Sequence, residues 1–63
     1  MKPTELLNRY NAAFKDIMDE ARPLRLRITA AIRAMTYAEI MGDNERLLMA
    51  ATAADDLFGK LLK

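Results

Sequence analysis

The sequence contains no cysteine, no histidine and no serine. Without cysteine the chain can form no disulfide, and without cysteine or histidine it cannot build the usual kind of zinc site. Histidine is the commonest general acid–base group, and serine and cysteine are common nucleophiles, so we do not expect an enzyme. Only two glycines are present, too few for a phosphate-binding loop. We therefore predict a protein with no catalytic residues, no cofactor and no metal.

The chain has 63 residues, which allows one domain, residues 1–63. A domain of this size buries only about 60% of the surface that its unfolded chain exposes, so its stability is marginal unless something supports it. Disulfides and a Cys/His zinc site are excluded, which leaves self-association as the remaining support. Apolar residues make up 52% of the sequence, a composition that favours this explanation. We expect a homo-oligomer that associates through the apolar stripes of its helices.

No run approaches the ~20 apolar residues that a membrane-spanning helix needs. The first four residues include Lys2 and Pro3 and do not resemble the apolar core of a signal peptide. The absence of cysteine is compatible with any compartment and fits an intracellular protein best. We therefore expect a cytoplasmic protein without a membrane partner.

Apolar residues recur at spacings of three and four, which predicts helices over about residues 4–21, 23–41 and 44–62. Thr4 is the predicted N-cap of the first helix, and Gly42 suits the turn between the second and third. In the third helix the predicted core stripe consists of Leu47, Ala51, Ala54, Phe58 and Leu61. The second helix is apolar around most of its circumference, which predicts a central helix buried by several neighbours.

Pro23 leaves two geometries open between the first two helices. Proline disfavours the helical conformation at Arg22, so two helices could meet at a tight corner with Pro23 at the first helical position. Alternatively, one long helix could kink at Pro23. The fold class is therefore all-α, either a small three-helix bundle or a kinked helical hairpin, completed by oligomerisation. We favour the corner.

Residues 21–38 contain four arginines and no acidic residue. On a helix, Arg22, Arg25 and Arg33 share one polar edge, whereas Arg27 falls among apolar positions. The edge could contact phosphates, or acidic residues of the flanking segments could neutralise it. The near balance of ten basic and nine acidic residues favours pairing or solvation. Arg27 either extends past a helix end into solvent or is presented to a partner.

These observations predict a small non-enzymatic protein that acts by binding another protein, as an adaptor, accessory protein or inhibitor. The contact residues should be cations and apolar groups that the helix pattern does not require. Met49 belongs with them because it falls on the polar side of the third helix, where a methionine suits an adaptable surface. The predicted partner-binding residues are Arg25, Arg27, Arg33, Tyr37 and Met49.

Two alternatives remain open. The segment from Ala38 to Gly42, with Leu48 six residues later, resembles the Ala-x-x-x-Gly core of a helix-turn-helix. That resemblance implies a small DNA-binding regulator using residues 36–52, although Asp43 stands where an apolar residue is usual. A third possibility is a structural subunit of a larger assembly.

Overall fold

The computed structural model describes residues 2–63 and contains three α-helices: α1 (Pro3–Ile17), α2 (Leu24–Met41) and α3 (Asn44–Leu61). Helix α2 is central, because α1 and α3 both pack against it and contact each other little. Residues 2–63 contain no strand. The bundle is flat, with extents of 38 × 20 × 12 Å. The prediction of an all-α three-helix bundle is confirmed.

Helix α1 ends at Ile17, so its predicted end at residue 21 is wrong. The cause is Asp19, whose carboxylate accepts a hydrogen bond from the backbone N–H of Ala21 at 3.0 Å. This side chain offers the backbone a turn in place of another helical residue. The Asp19 carbonyl also accepts from the N–H of Arg22 at 3.1 Å. Residues 18–23 therefore form a turn between two separate helices, and no continuous helix kinks at Pro23.

The starts of α2 and α1 both differ slightly from the prediction. Pro23 directly precedes α2 with extended backbone (φ −56°, ψ 141°), so it is not the first helical residue. At the other end of α1, the helix starts at Pro3 and not after a Thr4 cap. Proline suits the first helical position because its fixed φ matches the helix and its missing N–H would have no partner there.

The turn between α2 and α3 forms as predicted. Gly42 has a left-handed backbone (φ 70°), and its N–H donates to the last turn of α2. Asp43 then caps α3, because its carboxylate accepts from the backbone N–H of Arg46 at 3.0 Å. This turn is short enough to set α3 antiparallel to α2.

The core is built mostly from alanine. Seven of the twelve buried apolar residues are alanines, and Ala31, Ala34, Ala38 and Ala50 have no exposed surface. Small side chains let the helix backbones approach closely, but each one buries little apolar area. The larger core side chains are Leu6, Tyr10, Ile17, Ile28 and Leu57. Most large apolar side chains therefore lie outside the core.

The predicted core stripe of the third helix is wrong in part. The buried residues of α3 are Ala50, Ala54 and Leu57, whereas Phe58 and Leu61 are 43% and 45% exposed. Leucine, methionine and alanine occur around much of this helix, so several stripes satisfy a helical period. The position of α2 decides which of them is buried.

The outer side of α2 is left uncovered within the single chain. Leu26 and Ile32 are each 53% exposed, and Ile40 is 63% exposed. Helices α1 and α3 cover only one side of α2. Its other side stays in contact with solvent in the single chain.

Candidate functional site

The arginine edge divides between paired and unpaired side chains. The Nε of Arg22 lies 3.3 Å from a carboxylate oxygen of Asp16 and 3.4 Å from one of Asp19. All three side chains are nearly half exposed, so water screens these contacts. Within residues 2–63, Arg25 and Arg33 form no ion pair. The acidic residues therefore neutralise one end of the edge only.

Arg33 and Tyr37 lie together beside α1. They line an open groove of about 320 Å³ between α1 and α2, together with Arg9 and the Arg22–Asp16 pair. Arg25 does not line this groove and is exposed on the outer side of α2. Two of the predicted contact residues thus share a groove with a net positive lining.

Arg27 is bound within the fold. Its Nε donates a hydrogen bond to the backbone carbonyl of Ile17 at 2.8 Å, and the residue is half-buried. Ile17 is the last residue of α1, where carbonyls have no helical N–H to accept from. A cation there also interacts favourably with the negative end of the helix. Arg27 thus holds the end of α1 against the start of α2.

Met49 is 55% exposed and lies in an apolar trough between α1 and α3. The trough has a volume of about 580 Å³, and no residue of α2 lines it. Met18 and Leu48 are also well exposed there, at 63% and 68%. The full lining is Phe14, Met18, Leu48, Met49, Thr52, Ala53 and Asp56.

Sequence reasoning selected only Met49 from this trough. Phe14 and Met18 fit the apolar period of the first helix, and that period alone does not distinguish them from core residues. Because α1 ends at Ile17, Met18 follows the helix and stays exposed. The contact between α1 and α3 that forms the trough has no sequence signature.

A cluster next to the trough joins α1 to α3. The hydroxyl of Tyr10 donates to the backbone carbonyl of Arg46 at 3.0 Å, and the Arg46 guanidinium lies 5.8 Å from the centre of the Tyr10 ring. That guanidinium also pairs with Asp43 at 2.6 Å. Burial raises the pKa of Tyr10, partly opposed by the positive charge of Arg46. The hydrogen bond from the backbone N–H of Arg46 is the main cause that lowers the pKa of Asp43, and the hydrogen bond from the Arg46 side chain lowers it further.

The same cluster bears on the segment that resembles a helix-turn-helix. Arg46 is the one basic residue in 45–51, and it is engaged with Asp43 and Tyr10. The exposed side of α3 around it carries Glu45, Leu48 and Met49. This side offers few donors for phosphates or base edges.

Within residues 2–63, no three acidic side chains are grouped closely enough to hold a metal ion. None of the three helices combines the length and apolar character needed to cross a membrane. A scan against known protein-family models gives no match, and searches of curated proteins and of solved structures give none either.

Proposed function

We propose that this chain is a small non-enzymatic helical protein that self-associates and binds another protein, in an adaptor, accessory or inhibitor role. The observation that carries the proposal is the distribution of large apolar side chains. Nine of them are well exposed, whereas five are buried in the core. The accessible surface is 4617 Å², whereas a compact monomer of 7.1 kDa exposes about 4,100 Å². Contact with other chains would cover this excess.

The apolar trough between α1 and α3 is the proposed site for the partner protein, and we propose an amphipathic helix as its occupant. The trough is lined mostly by apolar side chains, which suits the apolar face of a third helix. Met18 and Met49 are flexible and polarisable, so they can adapt to the side chains of a partner. Asp56 is the one charged residue in the lining, which favours a partner helix with basic flanks.

A synthetic amphipathic helical peptide, with leucines on one face and lysines on the other, tests this site. Methyl NMR of the labelled methionines should show saturable shifts for Met18 and Met49. Met35 packs against the core and should not shift. A peptide of the same composition in scrambled order controls for non-specific binding.

Two variants test whether the peptide binds in the trough. Met49→Lys should abolish peptide binding, because it places a charge within the apolar lining. Leu62→Lys makes a similar change at an exposed residue outside the trough and should have no effect. Equal binding by both variants would show that the trough is not the site.

Self-association is tested separately by measuring the mass in solution over a range of protein concentrations. A mass that stays at 7.1 kDa throughout would contradict this half of the proposal. The DNA-binding alternative is tested with a short duplex at low salt, where a phosphate-driven binder must show affinity that falls steeply as salt rises. We expect no such binding, because the one basic residue in 45–51 is engaged with Asp43.

A further inference from the structure

The outer face of α2 has no partner within the chain. Its eight exposed residues fall within one arc of about 140° at 100° per residue. Three of them are large apolar residues, each more than half exposed, as described above. The full set is Arg25, Leu26, Thr29, Ile32, Arg33, Thr36, Glu39 and Ile40.

These residues form rows with a spacing of seven, which keeps each row nearly parallel to the helix axis. One edge of the face carries Arg25, Ile32 and Glu39. The other edge carries Leu26, Arg33 and Ile40. The first row has a basic residue at one end and an acidic residue at the other, and this gives the face a direction.

Two copies of this face complement each other when they run antiparallel. With a two-fold axis near Ile32, Arg25 of each copy lies opposite Glu39 of the other, and Ile32 lies opposite Ile32. On the other edge, Leu26 lies opposite Ile40. A parallel pair would instead place one edge against the other, so that Arg25 and Glu39 would lie opposite the apolar residues Leu26 and Ile40, which leaves both charges without a partner.

The centre of the face can be buried without leaving a polar group unpaired. The hydroxyl of Thr29 donates to the Arg25 carbonyl at 3.0 Å, and the hydroxyl of Thr36 donates to the Ile32 carbonyl at 3.0 Å. Both hydroxyls are satisfied within α2, so burial would cost little. Threonine is also small enough to let two helices approach closely.

Arg33 is the one residue that would meet its own like charge near the two-fold axis. It also lines the groove between α1 and α2, which holds the carboxylate of Asp16. A long arginine side chain can cover the edge of an interface with its methylenes and keep its guanidinium in such a groove.

We propose that the outer face of α2 binds the same face of a second copy, giving an antiparallel two-fold dimer. This inference rests on the self-association proposed above and specifies its geometry. The dimer shares no residue with the trough between α1 and α3. Two such troughs would therefore remain for partner helices.

Charge reversal at Arg25 and Glu39 tests the pairing, with dimerisation measured by sedimentation equilibrium at low salt. Arg25→Glu and Glu39→Arg should each weaken dimerisation, roughly tenfold, because both inter-chain pairs become repulsive. The double variant should restore it. An equimolar mixture of the two single variants should form a heterodimer, in which both pairs again have opposite charges. Both positions are exposed, and helix content by circular dichroism controls for folding.

The outcomes separate this inference from the broader proposal. If the wild-type chain dimerises but neither single variant weakens the dimer, the antiparallel α2 interface is wrong and self-association still stands. If the double variant dimerises no more tightly than either single variant, Arg25 and Glu39 do not pair with each other across the interface and the inference fails. A wild-type chain that stays monomeric at every concentration overturns both.

Discussion

Tyr10 provides the sharpest test of how the bundle is held together. It is 3% exposed, and its hydroxyl makes the one side-chain hydrogen bond between α1 and α3 within residues 2–63. The chain offers a matched control, because Tyr37 is its other tyrosine. Tyr37 is half-buried, and its hydroxyl makes no hydrogen bond in the described part of the chain. We therefore compare Tyr10→Phe with Tyr37→Phe.

The expected loss follows from one hydrogen bond. Tyr10→Phe keeps the ring and its stacking on Phe14, whose ring centre lies 5.8 Å away. The Arg46 carbonyl lies inside α3 and keeps its helical partner, so the change leaves no buried group without a bond. The free energy of unfolding should fall by about 0.5–1.5 kcal/mol. A chain of 63 residues has about 3–9 kcal/mol in total, so this loss is measurable.

The pH dependence gives a second readout with a defined sign. Burial raises the pKa of Tyr10 in the folded chain above its ordinary value of 10.0. The folded state therefore favours the neutral phenol, and this contribution is fully present below pH 10. It is lost as the pH rises through the folded-state pKa, because a phenolate cannot donate to the Arg46 carbonyl. Stability should fall less steeply above pH 10 in Tyr10→Phe than in the wild-type chain.

Urea denaturation followed by circular dichroism measures both effects, at one fixed protein concentration because an oligomer's stability depends on concentration. Tyr37→Phe should stay within about 0.5 kcal/mol of the wild type. The reasoning fails if the two variants lose equal stability. It also fails if the free energy of unfolding falls equally steeply above pH 10 in Tyr10→Phe and in the wild-type chain.

Three further predictions concern packing and helix ends, with stability again measured by urea denaturation. Ala34→Leu should lower the free energy of unfolding by about 1–3 kcal/mol, because Ala34 is fully buried in the alanine core. Ala12→Leu changes an exposed residue and should have little effect on stability. Similar losses in both variants would contradict close packing around Ala34. Arg27→Ala should lower the free energy of unfolding by about 1 kcal/mol, because it removes the hydrogen bond to the end of α1. Arg9→Ala breaks no hydrogen bond or ion pair within residues 2–63 and should leave stability nearly unchanged. Gly42→Ala should lower the free energy of unfolding by about 1 kcal/mol, because alanine is strained in the left-handed conformation. The added Cβ would meet no atom within 4 Å, so no clash contributes. An unchanged stability would refute the left-handed assignment.

Much of the fold was predictable because it depends on local chemistry. The three helices follow from the apolar period, and the turn at Gly42 and Asp43 follows from glycine's freedom at positive φ and the capping carboxylate. The end of α1 was not predicted, although its cause is also local. Asp19 forms a turn with its own backbone, as Asn or Ser would, and the apolar period does not reveal this capacity.

The candidate sites were harder to predict, because each one depends on residues from different helices. The position of Arg27 on a helix allowed two interpretations, solvent exposure past a helix end or contact with a partner. Neither included the Ile17 carbonyl that Arg27 binds. Met49 was selected for its place on one helix, but the trough exists because Phe14 and Met18 of the first segment lie beside it. Helical periodicity describes the faces of one helix and contains no information about the neighbour of each face.

Residue type and spacing along the chain were enough to predict the helical class, the approximate helical segments and the exclusion of disulfides and Cys/His zinc sites. Three features depend on how the helices pack on one another: which apolar stripe of α3 is buried, the bond from Arg27 to the end of α1, and the exposure of the outer face of α2. The alanine-rich composition explains this dependence on packing. Small side chains let a helix pack closely on several of its sides, so the positions of the neighbouring helices determine which side becomes part of the core.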